Sequence, residues 1–138
     1  MKAKFEPVFN HKRQPLHEVL PLDTPMAFGI SPSQACNIQC EYCLHSLSPE
    51  ELRKKNFICK NMDWDIFLKI VEQLKAFPQK IKSISVAGQG EPLCNPNMAK
   101  MIKMLKEADV AADVSFITNA LLFTHKRVEE IIDAGVDR

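Results

Sequence analysis

From residue 26 to the end of the chain, short apolar runs alternate with segments that have helical periodicity. The runs 26–30, 81–87 and 114–118 predict three buried strands, each followed along the chain by a helix. Because strands that alternate with helices are joined by right-handed crossovers, this order predicts an α/β fold with a parallel sheet. Ligands bind at the carboxyl ends of the strands in such sheets, so we expect a site there.

Residues that commonly begin or end helices predict the bounds of the three helices. These residues are Asp63 and Pro78 for the first helix, Asn95 and Pro96 for the second, and Thr124 and Gly135 for the third. Apolar spacing predicts the faces that are buried, which comprise Ile66, Phe67, Ile70, Val71, Leu74 and Phe77, then Met98, Met101, Ile102 and Leu105, and finally Val128, Ile131 and Ile132.

Residues 1–25 differ from the rest of the chain because they combine four prolines with scattered charges. We expect them to form an irregular N-terminal leader beside a domain of residues 26–138. The length of 138 residues suits one ordinary domain, and the net charge of +1 gives no basic surface for nucleic acid. No secretory signal and no apolar stretch of roughly 18 residues is visible, which favours a soluble protein of the cytoplasm.

Three of the five cysteines, Cys36, Cys40 and Cys43, crowd into a polar loop after the first predicted strand. An odd number of cysteines with this clustering is not typical of a disulfide framework and indicates thiols kept for a metal in a reducing compartment. Three thiolates could hold an iron–sulfur cluster and leave one iron open to a substrate, since clusters are normally held by four cysteines.

Other metal sites remain open at this point. A tetrahedral zinc site could be completed by Cys59, His45 or Cys94, although structural zinc sites favour two paired cysteine units and the chain has one. An electron-transfer cluster would need a fourth cysteine, and Cys59 is near in sequence. Cys94 is otherwise expected to be a small buried side chain, and His45 a solvated residue or one that supports the ligands.

The C-x3-C-x2-C spacing, with Tyr42 just before the third cysteine, resembles the signature of the radical S-adenosylmethionine (SAM) superfamily. The resemblance implies that Cys36, Cys40 and Cys43 ligate a [4Fe–4S] cluster and that SAM chelates its open iron through amino and carboxylate groups. It further implies that electron transfer cleaves SAM to methionine and a 5′-deoxyadenosyl radical, which abstracts a hydrogen atom. The backbone around Tyr42 is then expected near the adenine.

Two further segments are similar to landmarks of this family. The segment after the second predicted strand resembles a Gly-Gly-Glu-Pro sequence that hydrogen-bonds the amino group of SAM, and consists of Gly88, Gln89, Gly90, Glu91 and Pro92. It departs from that pattern at Gln89, where a glycine usually stands. The third strand ends in Thr118, Asn119 and Ala120, which resemble a Thr-Asn-Gly sequence, and this similarity implies that Asn119 lies near the site.

The family core is a partial TIM-like barrel of six strand–helix units, and residues 26–138 resemble its first three units. We therefore expect the N-terminal half of a radical SAM core in an apparently truncated chain, with an unpaired sheet edge after 114–118. The implied partners are SAM, an electron donor such as flavodoxin or ferredoxin, and possible peptide or protein substrates. The alternatives are an iron–sulfur or zinc binding module without SAM chemistry, or an inactive remnant.

Overall fold

The computed structural model describes residues 15–138, so the first part of the predicted leader 1–25 lies outside the described residues. Its described part contains a short 3₁₀ turn, Leu16–Glu18, and then runs without regular structure to the first strand. This part contacts the domain where the hydroxyl of Thr24 accepts a hydrogen bond from the backbone N–H of Gln79 at 3.3 Å.

Three parallel strands form the sheet in the order β1 (Ala27–Ile30), β2 (Ser83–Val86) and β3 (Val114–Ser115). The register pairs Ala27 with Ser83 and Ile84 with Val114. The predicted α/β class and parallel sheet are therefore confirmed. The strands are shorter than the apolar runs that predicted them.

The third strand shows the largest difference, because 114–118 was predicted and only Val114–Ser115 is regular. After this strand the backbone N–H of Phe116 donates to the carbonyl of Arg138 at 3.0 Å. The hydroxyl of Thr118 donates to the carboxylate of Glu91, which follows β2. Before the second strand, Ile81 makes an isolated parallel bridge with Ala111. The pairing therefore continues beyond the named strands, but with interruptions.

Residues 15–138 form four α-helices: α1 (Pro49–Lys54), α2 (Trp64–Lys75), α3 (Met98–Glu107) and α4 (His125–Asp133). Helix α1 was not predicted, although its start carries a recognisable local signal. The hydroxyl of Ser48 accepts a hydrogen bond from the N–H of Glu51 at 3.3 Å, and the Glu51 carboxylate accepts from the N–H of Ser48 at 2.8 Å. This is a capping box, whose Ser-x-x-Glu pattern is visible in the sequence.

The predicted helix boundaries are confirmed at some positions and wrong at others. Thr124 caps α4, since its hydroxyl accepts from the N–H of Arg127 at 3.3 Å, and Gly135 follows that helix with φ of 81°. Helix α2 follows Asp63 but ends at Lys75, before Pro78, and the Asp63 side chain makes no capping hydrogen bond.

The prediction that Pro96 is the first residue of α3 is wrong, because this helix begins at Met98 after Asn97. Asn95 lies three residues before the first residue of the helix, and its side chain orders the turn that leads into it. Its side-chain oxygen accepts from the N–H of Asn97 at 2.9 Å, while its amide donates to the carbonyl of Pro32 at 2.8 Å. Asn95 thus joins two loops.

The hydrophobic core lies between the sheet and helices α2 to α4. The predicted residues that are buried are Phe67, Val71, Leu74, Met98, Met101, Ile102, Leu105 and Ile131. Ile66 and Ile132 were predicted to be buried and are 47% and 56% exposed. Each adjoins a buried residue, and a step of one residue turns the side chain about 100° around the helix. Within residues 15–138, no helix is long and apolar enough to cross a membrane.

The residues after α4 lie along the outer edge of β3. The N–H of Asp137 donates to the carbonyl of Val114 at 2.9 Å, and the carbonyl of Arg138 accepts from Phe116. The sequence predicted an unpaired sheet edge at the third strand. This prediction is wrong at Val114 and Phe116, whose backbone groups pair with Asp137 and Arg138. The reason is that the chain returns from α4 to the side of β3.

Candidate functional site

Three loops meet at the carboxyl edge of the sheet, because the three strands are parallel and adjacent. The loop after β1 carries the cysteines, the turn after β2 carries residues 88–92, and the loop after β3 carries Asn119. Every site residue that the sequence predicted belongs to one of these loops. Backbone and side-chain hydrogen bonds connect the three loops to one another.

The cysteine loop is anchored at its base, just before Cys36. The carbonyl of Ala35 accepts from the N–H of Glu91 at 2.9 Å, and the carbonyl of Pro32 accepts from the N–H of Met62 at 2.9 Å. The N–H of Gln34 donates to the carbonyl of Lys60, also at 2.9 Å. Residues 32–35 are thus held from two sides, by the turn after β2 and by the extended segment before α2.

Gly90 is required by this packing. A Cβ atom at this position would lie 2.6 Å from the carbonyl oxygen of Ser33 and closer still to that of Ala35. Both obstacles are backbone atoms, which cannot rotate away as a side chain can. At Gly88 the obstacle is the side chain of Ser31. The sequence predicted that these glycines let a ligand approach the backbone, and in the structure they let the cysteine loop approach it.

The thiols of Cys36, Cys40 and Cys43 are free and each residue is partly exposed. A turn joins the last two, in which the N–H of Cys43 donates to the carbonyl of Cys40 at 3.0 Å. In residues 15–138, no three His, Cys, Asp or Glu side chains are grouped as they would be around a single metal ion. The donor set itself, three accessible thiols on one loop, fits an iron–sulfur cluster, in which each thiolate binds a different iron.

The two other cysteines differ in their surroundings. Cys94 is half-buried and lies in the 3₁₀ turn Pro92–Cys94, whereas Cys59 is exposed. Burial raises the pKa of the Cys94 thiol, and the nearby Cys36 and Glu91 add to this rise. Cys94 is therefore less buried than the sequence predicted, and its thiol interacts electrostatically with that of Cys36.

The carboxylate of Glu91 joins the ends of β2 and β3. This residue is only 3% exposed, and one of its oxygens accepts from the N–H of Leu93 at 3.0 Å and from the hydroxyl of Thr118 at 2.6 Å. The other oxygen accepts from the N–H of Asn119 at 2.8 Å. Because these three donors belong to the protein, the carboxylate joins the end of β2 to the end of β3.

Asn119 connects the third loop to the cysteine loop. Its side-chain amide donates to the side-chain oxygen of Asn37 at 2.9 Å, and Asn37 directly follows Cys36. Ala120 has a φ of 64°, in the left-handed region that favours glycine. Tyr42 is 95% exposed, so its side chain is not part of this connected set. The structure therefore brings Asn119 to the cysteine loop and leaves the Tyr42 ring in solvent.

His45 is the main residue of this region whose setting the sequence did not predict. It was expected to be solvated or to support the ligands, and it is 6% exposed. Its Nε2 atom lies 3.0 Å from the carbonyl oxygen of Gln89, and its ring meets that of Phe57 edge-on at 5.5 Å between centroids. The expectation of a solvated residue is wrong, because Phe57 and the turn after β2 cover the ring.

Comparison with known proteins identifies relatives of this chain. Residues 30–138 match the family model of the radical SAM superfamily. A Pyrococcus furiosus protein, the tungsten-containing aldehyde ferredoxin oxidoreductase cofactor-modifying protein, is 33% identical over 102 residues, which cover 74% of this chain and 26% of that protein. A probable GTP 3′,8-cyclase of Methanococcus maripaludis is 33% identical over 112 residues, or 81% of this chain and 34% of that protein.

The fold is similar to a solved structure as well. A crystal structure of BtrN in complex with AdoMet and 2-DOIA superposes with a TM-score of 0.67 at 25% sequence identity. The superposition covers 83% of this chain and 44% of the BtrN chain. The chain thus spans less than half the length of each of these three proteins.

Proposed function

Because the chain belongs to the radical SAM superfamily, whose members are enzymes that use a [4Fe–4S] cluster and SAM, we propose that Cys36, Cys40 and Cys43 hold this cluster. The observation that carries the proposal is the placement of three free, partly exposed thiols on one loop at the carboxyl edge of a parallel sheet. Three thiolates leave one of four irons without a protein ligand. That iron is the proposed site for SAM.

When bound and reduced, the cluster would supply the electron for reductive cleavage of SAM, the chemistry by which a hydrogen atom would be abstracted from the substrate. The protein's part is to hold SAM beside the loop. Backbone groups of Gly88, Gln89, Gly90, Glu91 and Pro92 are proposed to bind its amino end, while the backbone at Tyr42 lies near the adenine. Asn119 lies beside this site and, through Asn37, holds the cysteine loop to the end of β3.

We further propose that residues 26–138 form the N-terminal half of a radical SAM core, preceded by the leader 1–25. A flavodoxin or ferredoxin is the proposed electron donor, and a reducing compartment such as the cytoplasm suits the five free thiols. A peptide or protein substrate remains a prediction.

A second candidate is a closed iron–sulfur site without SAM chemistry, with Cys94 as the fourth ligand. The observation in its favour is that Cys94 is half-buried and that Cys36 contributes to raising the pKa of its thiol, whereas Cys59 is exposed. A fourth thiolate would occupy the iron that SAM needs. The two functions therefore differ in the effect of removing Cys94.

The test is anaerobic reconstitution followed by iron and sulfide analysis of single variants. Cys36→Ala, Cys40→Ala and Cys43→Ala are each expected to lose most of the cluster, since each removes an iron–thiolate bond. Cys59→Ala and Cys94→Ala are the matched controls and should retain it. A loss in Cys94→Ala as large as in the other three would favour the closed site.

SAM binding is tested on the same reconstituted chain. After reduction with dithionite, addition of SAM is expected to change the electron paramagnetic resonance spectrum of the cluster, because a new ligand reaches one iron. The open iron is also expected to make the cluster bleach in air. A spectrum that SAM leaves unchanged, together with a cluster that survives prolonged exposure to air, would contradict an open site.

A further inference from the structure

We propose that His45 is a positioning residue that holds the turn Gly88–Gly90 in the form that binds SAM, an inference that rests on the proposed function. His45 and Gln89 are 44 residues apart in sequence, and the Nε2 atom of His45 lies 3.0 Å from the carbonyl oxygen of Gln89. This contact directly connects the cysteine loop to the turn, because His45 is the second residue after Cys43.

The chemistry of the contact fixes its direction. A carbonyl oxygen only accepts hydrogen bonds, so Nε2 of His45 carries the proton and donates it to Gln89. The ring is held for this task by Phe57, which is buried and meets it edge-on. A buried donor and a buried aromatic neighbour together restrict the imidazole to one orientation. His45 therefore offers a fixed hydrogen bond to one carbonyl of the turn.

Fixing that carbonyl also fixes the groups around it. The peptide bond between Gln89 and Gly90 is planar, so the N–H of Gly90 is directed away from the carbonyl that His45 holds. Among the hydrogen bonds of residues 15–138, none uses this N–H or the carbonyls of Gly88 and Gly90. These two carbonyls and this N–H are thus available to a ligand with both an ammonium and a carboxylate group.

The turn has a second, separate attachment that maintains the fold when His45 is changed. The N–H of Glu91 donates to the carbonyl of Ala35, and the Glu91 carboxylate is bound to the end of β3. Removing the His45 donor therefore loosens residues 88–90 while the base of the cysteine loop stays in place. We expect the cluster to be retained and the binding of SAM to weaken.

The experiment compares three variants of the reconstituted chain. His45→Phe keeps an aromatic ring against Phe57 and removes the donor, while His45→Gln keeps a donor at a similar reach. His125→Phe makes the same change at an exposed histidine of α4. All three are expected to bind as much iron and sulfide as the parent chain. SAM is then titrated while the paramagnetic resonance spectrum of the cluster is followed.

The apparent Kd for SAM should rise about tenfold in His45→Phe, the effect of losing roughly one hydrogen bond. In His45→Gln and His125→Phe it should stay within about threefold of the parent value. An affinity for SAM that recovers in His45→Gln would show that the hydrogen-bond donor at this position matters, and not only the volume of the side chain. Equal affinity in the parent and His45→Phe, or a loss of iron in His45→Phe, would overturn the inference.

The outcome for the parent chain separates this inference from the proposed function. A parent chain that binds no cluster, or whose cluster does not respond to SAM, would overturn the proposed function itself. If circular dichroism shows that His45→Phe does not fold, His45→Asn replaces it in the experiment. The asparagine side chain is too short for its amide to reach the carbonyl of Gln89. Failure of both variants to fold would make His45 a core residue and overturn the inference.

Discussion

The carboxyl end and the amino end of the sheet are stabilised by different kinds of polar contact. At the carboxyl end, the buried carboxylate of Glu91 accepts hydrogen bonds from two backbone N–H groups and a hydroxyl. At the amino end, Arg138 makes a two-point ion pair with Asp113, at 3.0 and 2.6 Å, and Lys106 pairs with Asp137 at 2.7 Å. These charged pairs are partly exposed to solvent.

This contrast indicates which end tolerates change. A surface ion pair that is lost is replaced by water at little cost, typically below about 1 kcal/mol. A buried donor that loses its acceptor has no such replacement and costs about 1–3 kcal/mol. We therefore expect the carboxyl end, where the candidate site lies, to be the more sensitive end. Substitutions at both ends can test that ranking.

Gly90→Ala is expected to have the largest effect. The added methyl group meets the backbone of Ser33 and Ala35, so the cysteine loop must move. We expect a loss of about 3 kcal/mol in the free energy of unfolding and a lower iron content after reconstitution. Gly29→Ala is the matched control, because a Cβ atom there meets nothing within 4 Å. Similar unfolding curves for the two variants would refute the close approach at Gly90.

Glu91→Gln tests the buried carboxylate. The amide group of glutamine presents a donor where Leu93, Thr118 or Asn119 already donates. At least one buried donor is then unsatisfied, and we expect a loss of about 2 kcal/mol in the free energy of unfolding by urea. Glu107→Gln, on the exposed surface of α3, should change it by less than about 0.5 kcal/mol. Equal losses would mean that the buried carboxylate is no more sensitive than a surface one.

Ala120→Gly is expected to stabilise the carboxyl end. Alanine at a φ of 64° is strained, and glycine adopts this conformation readily. We expect the thermal unfolding temperature to rise, with a gain of roughly 0.5–1 kcal/mol. Ala112→Gly provides the comparison, since its φ is not positive and the same change should lower the unfolding temperature. A fall in both variants would show that Ala120 is not strained.

Asp113→Asn tests the amino end and should have the smallest effect. The hydrogen bond from Arg138 holds the pKa of Asp113 below its usual value, with a smaller effect from Ser83, while burial opposes both. A lowered folded-state pKa contributes stability above the unfolded pKa of about 4, and this stability disappears as the pH falls through the folded value.

At pH 7 we expect this variant to lose less than about 1 kcal/mol in the free energy of unfolding. The difference from the parent chain should shrink when unfolding is measured well below the unfolded pKa of about 4, because the Asp113 carboxyl is then protonated in both states. It should also shrink at high salt, because partly exposed charges are screened. A difference that is independent of pH would contradict the assignment to the Asp113 charge. A loss larger than that of Glu91→Gln would invert the ranking of the two ends.

Features that depend on neighbouring residues were predictable from the sequence. The alternation of apolar runs and helical spacing predicted the order of strands and helices, and the parallel sheet follows from that order. Thr124 and Gly135 were identified correctly because a cap depends on a few adjacent residues. Helix α1 could have been found by the same reasoning, from its capping box at Ser48 and Glu51.

The predictions that were wrong depended on distant residues. Asn95 is a residue type that often caps helices, but its side-chain amide donates to the carbonyl of Pro32, 63 residues earlier. Ile66 and Ile132 have helical spacing, and only the packed neighbours decide how wide the buried face is. The unpaired edge expected after β3 depended on where the chain runs after α4.

The candidate site divides in the same way. Local patterns in the sequence, namely the cysteine spacing and the glycine turn, were enough to predict which loops carry the candidate residues. The folded chain was needed to learn that Gly90 meets Ala35, that Glu91 binds Thr118, and that His45 reaches Gln89. Each of these contacts joins residues at least 27 positions apart. Such pairs are formed by the parallel sheet, which brings the ends of its strands to one edge, and no local pattern records them.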